Sequence, residues 1–156
     1  MTTQSTRRSQ VYVVLQFLLI AIYAAVFFLD DRVAWSLPPG VGWIGLALCA
    51  VALAIVFAAL AAMGRVMQVS PEPKAGGHLV ERGIYAYLRH PMYTGILLVV
   101  IGLFLRKPAI AVAIAGAALY VLLFLKARFE EQLLLQRYAG YAEYRKRTWG
   151  LIPGIR

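Results

Sequence analysis

A chain of 156 residues with 62% hydrophobic and only 15% charged residues carries too little polar surface to close a water-soluble globule. Its mean hydropathy of +0.72 places it among integral membrane proteins. The formal net charge of +9 raises nucleic-acid binding as a function, but the basic residues are spread over positions flanking apolar runs, where anionic lipid headgroups are the simpler partner.

In chain order, apolar runs over 11–29 and 41–63 each approach the roughly 20 residues that a helix needs to cross the hydrocarbon core. Arg7 and Arg8 precede the first run as they would in a secretory signal. The run is too long for a signal core, however, and Phe27-Phe28-Leu29-Asp30 lacks small-residue cleavage chemistry, so a retained helix is expected. Two further runs, 92–105 and 109–125, are separated only by Arg106-Lys107-Pro108 and should form a tight hairpin. The first of these is short, and it spans fully only if residues near Tyr85 to Pro91 extend it. A re-entrant or three-crossing arrangement is the alternative.

With four crossings, Arg7, Arg8, the loop 64–91 and the tail 126–156 share one side. The positive-inside rule makes that side cytoplasmic and leaves Asp30 and Asp31 outside. Arg106 and Lys107 are the exception to that bias. In the tail, Leu133, Leu134, Tyr138, Tyr141 and Tyr144 form an apolar stripe beside Gln132, Arg137, Arg145 and Lys146, the pattern of an interfacial amphipathic helix that Gly140 would bend. The expected fold is an all-α integral membrane protein of one domain, with about four transmembrane helices and this C-terminal interfacial helix.

Chemistry concentrates at two places. Arg89 and His90 lie at the lip of a bilayer between Tyr85 and Tyr93, where ionisable groups are costly unless partnered. Glu130 and Glu131 follow the last apolar run in an otherwise basic tail; adjacent helical positions diverge by about 100°, so one should point inward and the other pair with an arginine. Glu130 is taken as the inward one. Cys49 is the only cysteine and His78 and His90 the only histidines, so no metal site is expected. No Asp or Glu falls within a span, which argues against a proton-coupled exporter.

The pattern Leu79-Val80-x-x-Gly83-x-Tyr85-x-x-x-Arg89-His90-Pro91-x-Tyr93-x-Gly95, then Glu130-Glu131, then Tyr141-x-x-Tyr144 and Leu151-Ile152-Pro153, resembles the isoprenylcysteine carboxyl methyltransferase family, which is akin to membrane phospholipid N-methyltransferases. The likeness runs from about His78 to the C-terminus, with two departures: Ile84 stands where a proline is common, and the stretch from Tyr138 to Tyr144 is about one residue short. The resemblance implies S-adenosylmethionine as cofactor, with S-adenosylhomocysteine as product, held between C-terminal helices and loops; no Gly-x-Gly-x-x-Gly fingerprint occurs. It implies that His78, Leu79, Val80, Gly83, Tyr85, Arg89, His90, Tyr93 and Glu130 lie on or near the cofactor. Arg89 and His90 would bind its carboxylate, Glu130 its ammonium or ribose hydroxyls, and the Leu79-Val80 backbone its adenine. Arg145 or Arg128 is available to position a carboxylate acceptor. The implied function is methyl transfer to a lipid-like acceptor, an isoprenylcysteine-type carboxylate first and a phospholipid amine second, with membrane lipids as the surroundings and no nucleic-acid partner. A non-catalytic membrane subunit is the alternative of another class.

Overall fold

The computed structural model describes residues 3–64 and 79–155; His78, together with Arg65 and Lys74 of the loop, lies outside the described residues. Four long helices alternate in direction: α1 (Thr3–Leu29), α2 (Val41–Met63), α3 (Pro91–Arg106) and α4 (Ile110–Arg137), followed by a short α5 (Tyr141–Arg147). Three of them, α1, α2 and α4, are long and apolar enough to cross a membrane, and α3 is a shorter apolar helix. Bulky side chains such as Phe17, Trp43 and Phe57 face outward, as they do where the surrounding solvent is lipid.

α3 begins at Pro91, whose missing N–H suits the first helical position, and the His90 carbonyl accepts the amides of Tyr93 and Thr94 at 3.1 and 3.0 Å. Residues from Tyr85 to His90 do not lengthen it. They form a 3-10 turn over Gly83–Ala86 and an extended bridge to the tail, so the 16 residues of α3 rise only about 24 Å. α2 and α3 meet along small residues. A Cβ on Gly95 would lie 2.6 Å from Val56 Cγ2 and one on Gly102 2.7 Å from Cys49 Sγ, so the helices approach through glycine as interfaces in lipid commonly do.

α1 lies antiparallel on α4. Tyr12 meets Phe129, Gln16 meets Lys126, and Tyr23 is buried among Ala109, Val112 and Ala115 while its hydroxyl donates to the Val100 carbonyl at 2.7 Å. At the far end, the two charges that break the positive-inside pattern find local partners. Lys107 Nζ donates to the Phe27 carbonyl at the C-terminus of α1 and lies 3.5 Å from Asp31, and Arg106 reaches the Gly42 carbonyl.

The expected interfacial helix needs correction. α4 does not end near Leu125 but continues to Arg137, because Lys126, Glu130 and Glu131 turn toward partners inside the bundle rather than toward water. The chain breaks at Tyr138-Ala139-Gly140, and α5 is only seven residues long. Its Tyr141 and Tyr144 are buried against the loop rather than laid on lipid.

Candidate functional site

The site is assembled by stitching loop to tail. Leu88 pairs with Trp149 as a parallel bridge: the Arg89 amide donates to the Trp149 carbonyl at 2.9 Å and the Trp149 amide to the Tyr87 carbonyl at 2.8 Å. Thr94 Oγ1 donates to the Leu151 carbonyl at 2.7 Å, Tyr144 Oη to the Tyr85 carbonyl at 2.7 Å, and Arg147 pairs with Glu81. Gly83 has φ +61°, where an L side chain would be strained, and a Cβ there would stand 3.0 Å from Ala62 of α2. It is a turn residue on the α2 side, exposed, while Leu79 and Val80 beside it are half-buried.

Within this frame Arg89, His90, Tyr93, Glu130, Glu131 and Arg145 form one network. Arg89, its side chain 3% exposed, donates from Nε to Glu131 Oε1 at 2.8 Å and from Nη1 to the carbonyls of Arg145, at 2.9 Å, and Thr148. Arg145 Nε closes on the other Glu131 oxygen at 3.2 Å. Glu130 accepts the Tyr93 hydroxyl and lies 3.5 Å from His90 Nδ1, while His90 Nε2 is 3.3 Å from Glu131 Oε1. The rings of His90 and Tyr93 stack with centroids 5.5 Å apart.

The two adjacent carboxylates therefore do reach a common centre, against the expectation that 100° of rotation would part them. A flat ring wedged between them offers a nitrogen to each, and the helical offset is spanned by the imidazole itself. Burial works against a charged imidazole here, but hydrogen bonds to Glu130 and Glu131 outweigh it and hold the His90 pKa above its usual value. Protonated, His90 would donate from both nitrogens, one toward each carboxylate. Burial, reinforced by Glu130, pushes the Tyr85 phenol up to about 12, and burial also raises Tyr141 and Tyr144, so all three are phenols at neutral pH.

One buried polar atom in this neighbourhood has no partner among the described residues. The Tyr141 hydroxyl belongs to a residue 1% exposed, sits within electrostatic reach of Glu131 and Arg89, and makes no hydrogen bond. Leaving such a group unpaired is costly, which fits a ligand that carries polar groups. S-adenosylmethionine, with charges of both signs and an aromatic base, suits this donor set.

Beside the network lies an apolar cavity of about 450 Å³ between α3 and α4, lined by Leu97, Val112, Gly116 and Tyr120 and closed at one end by Leu151-Ile152-Pro153. Thr94 is on its wall, and the Thr94 hydroxyl donates to the His90 backbone carbonyl at 3.1 Å, so Thr94 links the cavity wall to the backbone of the network, none of whose side chains lines the cavity. The glutamate expected to pair with an arginine is Glu131, which meets both Arg89 and Arg145; sequence reasoning missed its place as the hub, and Thr148 and Thr94 as anchors. Thr94, one turn after His90, was the visible signal.

Residues 41–140, nearly two thirds of the chain, match the family model of the phospholipid methyltransferases (PEMT). No curated protein matches the chain. Among solved structures it is similar to the eukaryotic intramembrane Ras methyltransferase ICMT (isoprenylcysteine carboxyl methyltransferase), with 21% identity and a TM-score of 0.64 over 99% of this chain and 55% of that one. The chain thus spans about half the length of that protein, and at this identity the likeness is one of fold. The match over α2 to α4, which carry the acidic pair and the loop that faces it, shows that the chain belongs to the phospholipid methyltransferase family.

Proposed function

We propose that this protein transfers a methyl group from S-adenosylmethionine to a lipid-like acceptor in the membrane, and that the acceptor presents an isoprenylcysteine-type carboxylate. The observation that carries this reading is a charged, hydrogen-bonding network linked through Thr94 to the wall of an apolar cavity large enough for part of a lipid chain. S-adenosylmethionine, when bound, supplies a methyl group made electrophilic by a sulfonium and leaves as a neutral thioether. The protein's contribution is then to orient, desolvate and exclude water, and orientation alone is worth about 7 to 11 kcal/mol in the best cases.

Glu130 suits the cofactor ammonium or ribose hydroxyls, and Tyr141 offers an unpaired donor. Arg145, its side chain 41% exposed, keeps the access that a carboxylate of cofactor or acceptor requires, whereas the Arg89 guanidinium faces Glu131 and the tail. Arg89 is therefore a positioning residue in this reading. Both ring nitrogens of His90 face carboxylates, so it is no free base; a carboxylate acceptor needs none, which favours it over an amine. The family match favours the second reading, a phospholipid amine. The residues of the loop from Leu79 to Tyr85 are assigned to the adenine side, and the loop, tail and termini to the cytoplasmic face.

Isothermal titration of the purified protein with S-adenosylhomocysteine is expected to give saturable binding; absence of binding sinks the methyltransferase reading. Transfer of labelled methyl into a prenylcysteine acceptor should give base-labile label, as esters do, and base-stable label in vesicles of phosphatidylethanolamine would move the acceptor to an amine. For orientation, in a Cys49→Ser background Ser36→Cys should react with an impermeant thiol reagent in intact cells and Ala139→Cys only after the inner face is opened. The reverse pattern would invert the assignment.

A further inference from the structure

Lys126 is buried in α4, 1% exposed, one turn before Glu130. At that spacing a lysine can reach a carboxylate on the same helix face, and Glu130 is within electrostatic range. Yet no ion pair joins the two among the described residues. The ammonium is drawn instead to Gln16 Oε1 of α1 at 2.6 Å and rests over the face of Tyr93, 5.1 Å from the ring centroid. Gln16 is itself buried, and it is the only amide or charged side chain in the apolar run 11–29. An amide in such a run is costly unless it has a partner, and its partner is this lysine.

We propose that Gln16 is a positioning residue that keeps Lys126 off Glu130 and so leaves the Glu130 carboxylate open to the cofactor. The inference rests on the function proposed above, in which Glu130 is the acceptor for cofactor ammonium or hydroxyls. α1 lies outside the stretch matched by the family model, and through Gln16 it becomes part of the site rather than an added anchor. The competition is simple. With Gln16 accepting from it, Lys126 is satisfied by an amide oxygen and an aromatic face; without Gln16, Glu130 is the strongest acceptor within its reach, and a lysine bonded there occupies the oxygens that would bind ligand.

Binding of S-adenosylhomocysteine to the full-length protein in detergent tests this, with thermal unfolding measured alongside. Gln16→Met, which keeps the packing but removes the acceptor, should bind roughly tenfold or more weakly. Lys126→Met should bind like wild type. The double variant Gln16→Met/Lys126→Met should also regain wild-type affinity, because no ammonium is left to capture Glu130. A role confined to packing α1 on α4 predicts instead lower unfolding temperatures with unchanged affinity. Full affinity in Gln16→Met, or a double variant that stays as weak as Gln16→Met, overturns the inference while the methyltransferase reading stands. Loss in Lys126→Met as large as in Gln16→Met overturns it too, since the lysine would then be helping the ligand. A wild-type protein that binds no S-adenosylhomocysteine overturns both. Should Gln16→Met fail to fold, Gln16→Asn, whose amide falls one methylene short of Lys126, should show the same weakening and the same rescue by Lys126→Met.

Discussion

Arg89→Ala is expected to destabilise the protein by about 3 to 5 kcal/mol, because it removes one member of a buried ion pair and leaves Glu131 charged without its closest partner. The same guanidinium also holds the carbonyls of Arg145 and Thr148, so the tail should loosen before the bundle does. Limited trypsin digestion should therefore cut at Arg145 to Arg147 earlier than in wild type, and thermal unfolding should begin at lower temperature. Arg89→Lys should recover only part of this. A lysine keeps the charge but cannot fork between a carboxylate and two carbonyls. Replacing both partners, as Arg89→Met/Glu131→Met, should recover only part of the stability: paired apolar side chains avoid the desolvation that the ion pair must offset, but Arg145 and His90 still lose the Glu131 anion. An Arg89→Ala protein as stable and as protease-resistant as wild type would show that the clamp contributes nothing.

Much of this architecture was legible because its signals are local. Apolar runs near the length that a bilayer needs, a proline at the head of α3, and opposite charge at the ends of the spans are each read along a single stretch of chain. What escaped was long-range. The glycine seam of α2 and α3 depends on Gly45 facing Gly102 and Gly95 facing Val56 and Ala52, which no single run reveals. The continuation of α4 past Leu125 was hidden because the tail's polar residues read as the face of a separate interfacial helix, although Glu130 was expected to point inward; the partners on α1, α3 and α5 make the burial of Lys126, Glu130 and Glu131 tolerable. Gln16 was the readable trace of that fact, a lone amide in an apolar run.

The site was legible as a set of residues and not as a set of roles. Arg89, His90, Tyr93, Glu130 and Arg145 do meet, but the division of labour between the two glutamates depends on which nitrogen of the His90 ring each contacts, and this is fixed only when loop and tail are strapped together through Leu88 and Trp149. Shared positioning also explains why α5 had the composition of an interfacial helix. Its tyrosines are amphipathic, and the same property that suits a membrane surface suits a cleft that is apolar at one end and charged at the other.

Glu130→Gln and Glu131→Gln should separate ligand binding from stability. Among the described residues Glu130 is held by the Tyr93 hydroxyl and His90, with its side chain 13% exposed, so glutamine preserves its shape and the Tyr93 contact while removing the charge that a cofactor ammonium would meet. Losing a hydrogen bond to a charged group costs about 1.5 to 3 kcal/mol, which weakens S-adenosylhomocysteine binding by roughly 10- to 150-fold. Unfolding temperature should change little. Glu131→Gln reverses the pattern: Arg89, Arg145 and His90 all lose their common anion, so stability falls first and affinity declines less in the protein that remains folded. Calorimetric titration and thermal unfolding on the same preparations give the two readings. If folded Glu131→Gln binds more weakly than Glu130→Gln, the ligand meets Glu131, and the Arg89 clamp opens when the cofactor arrives.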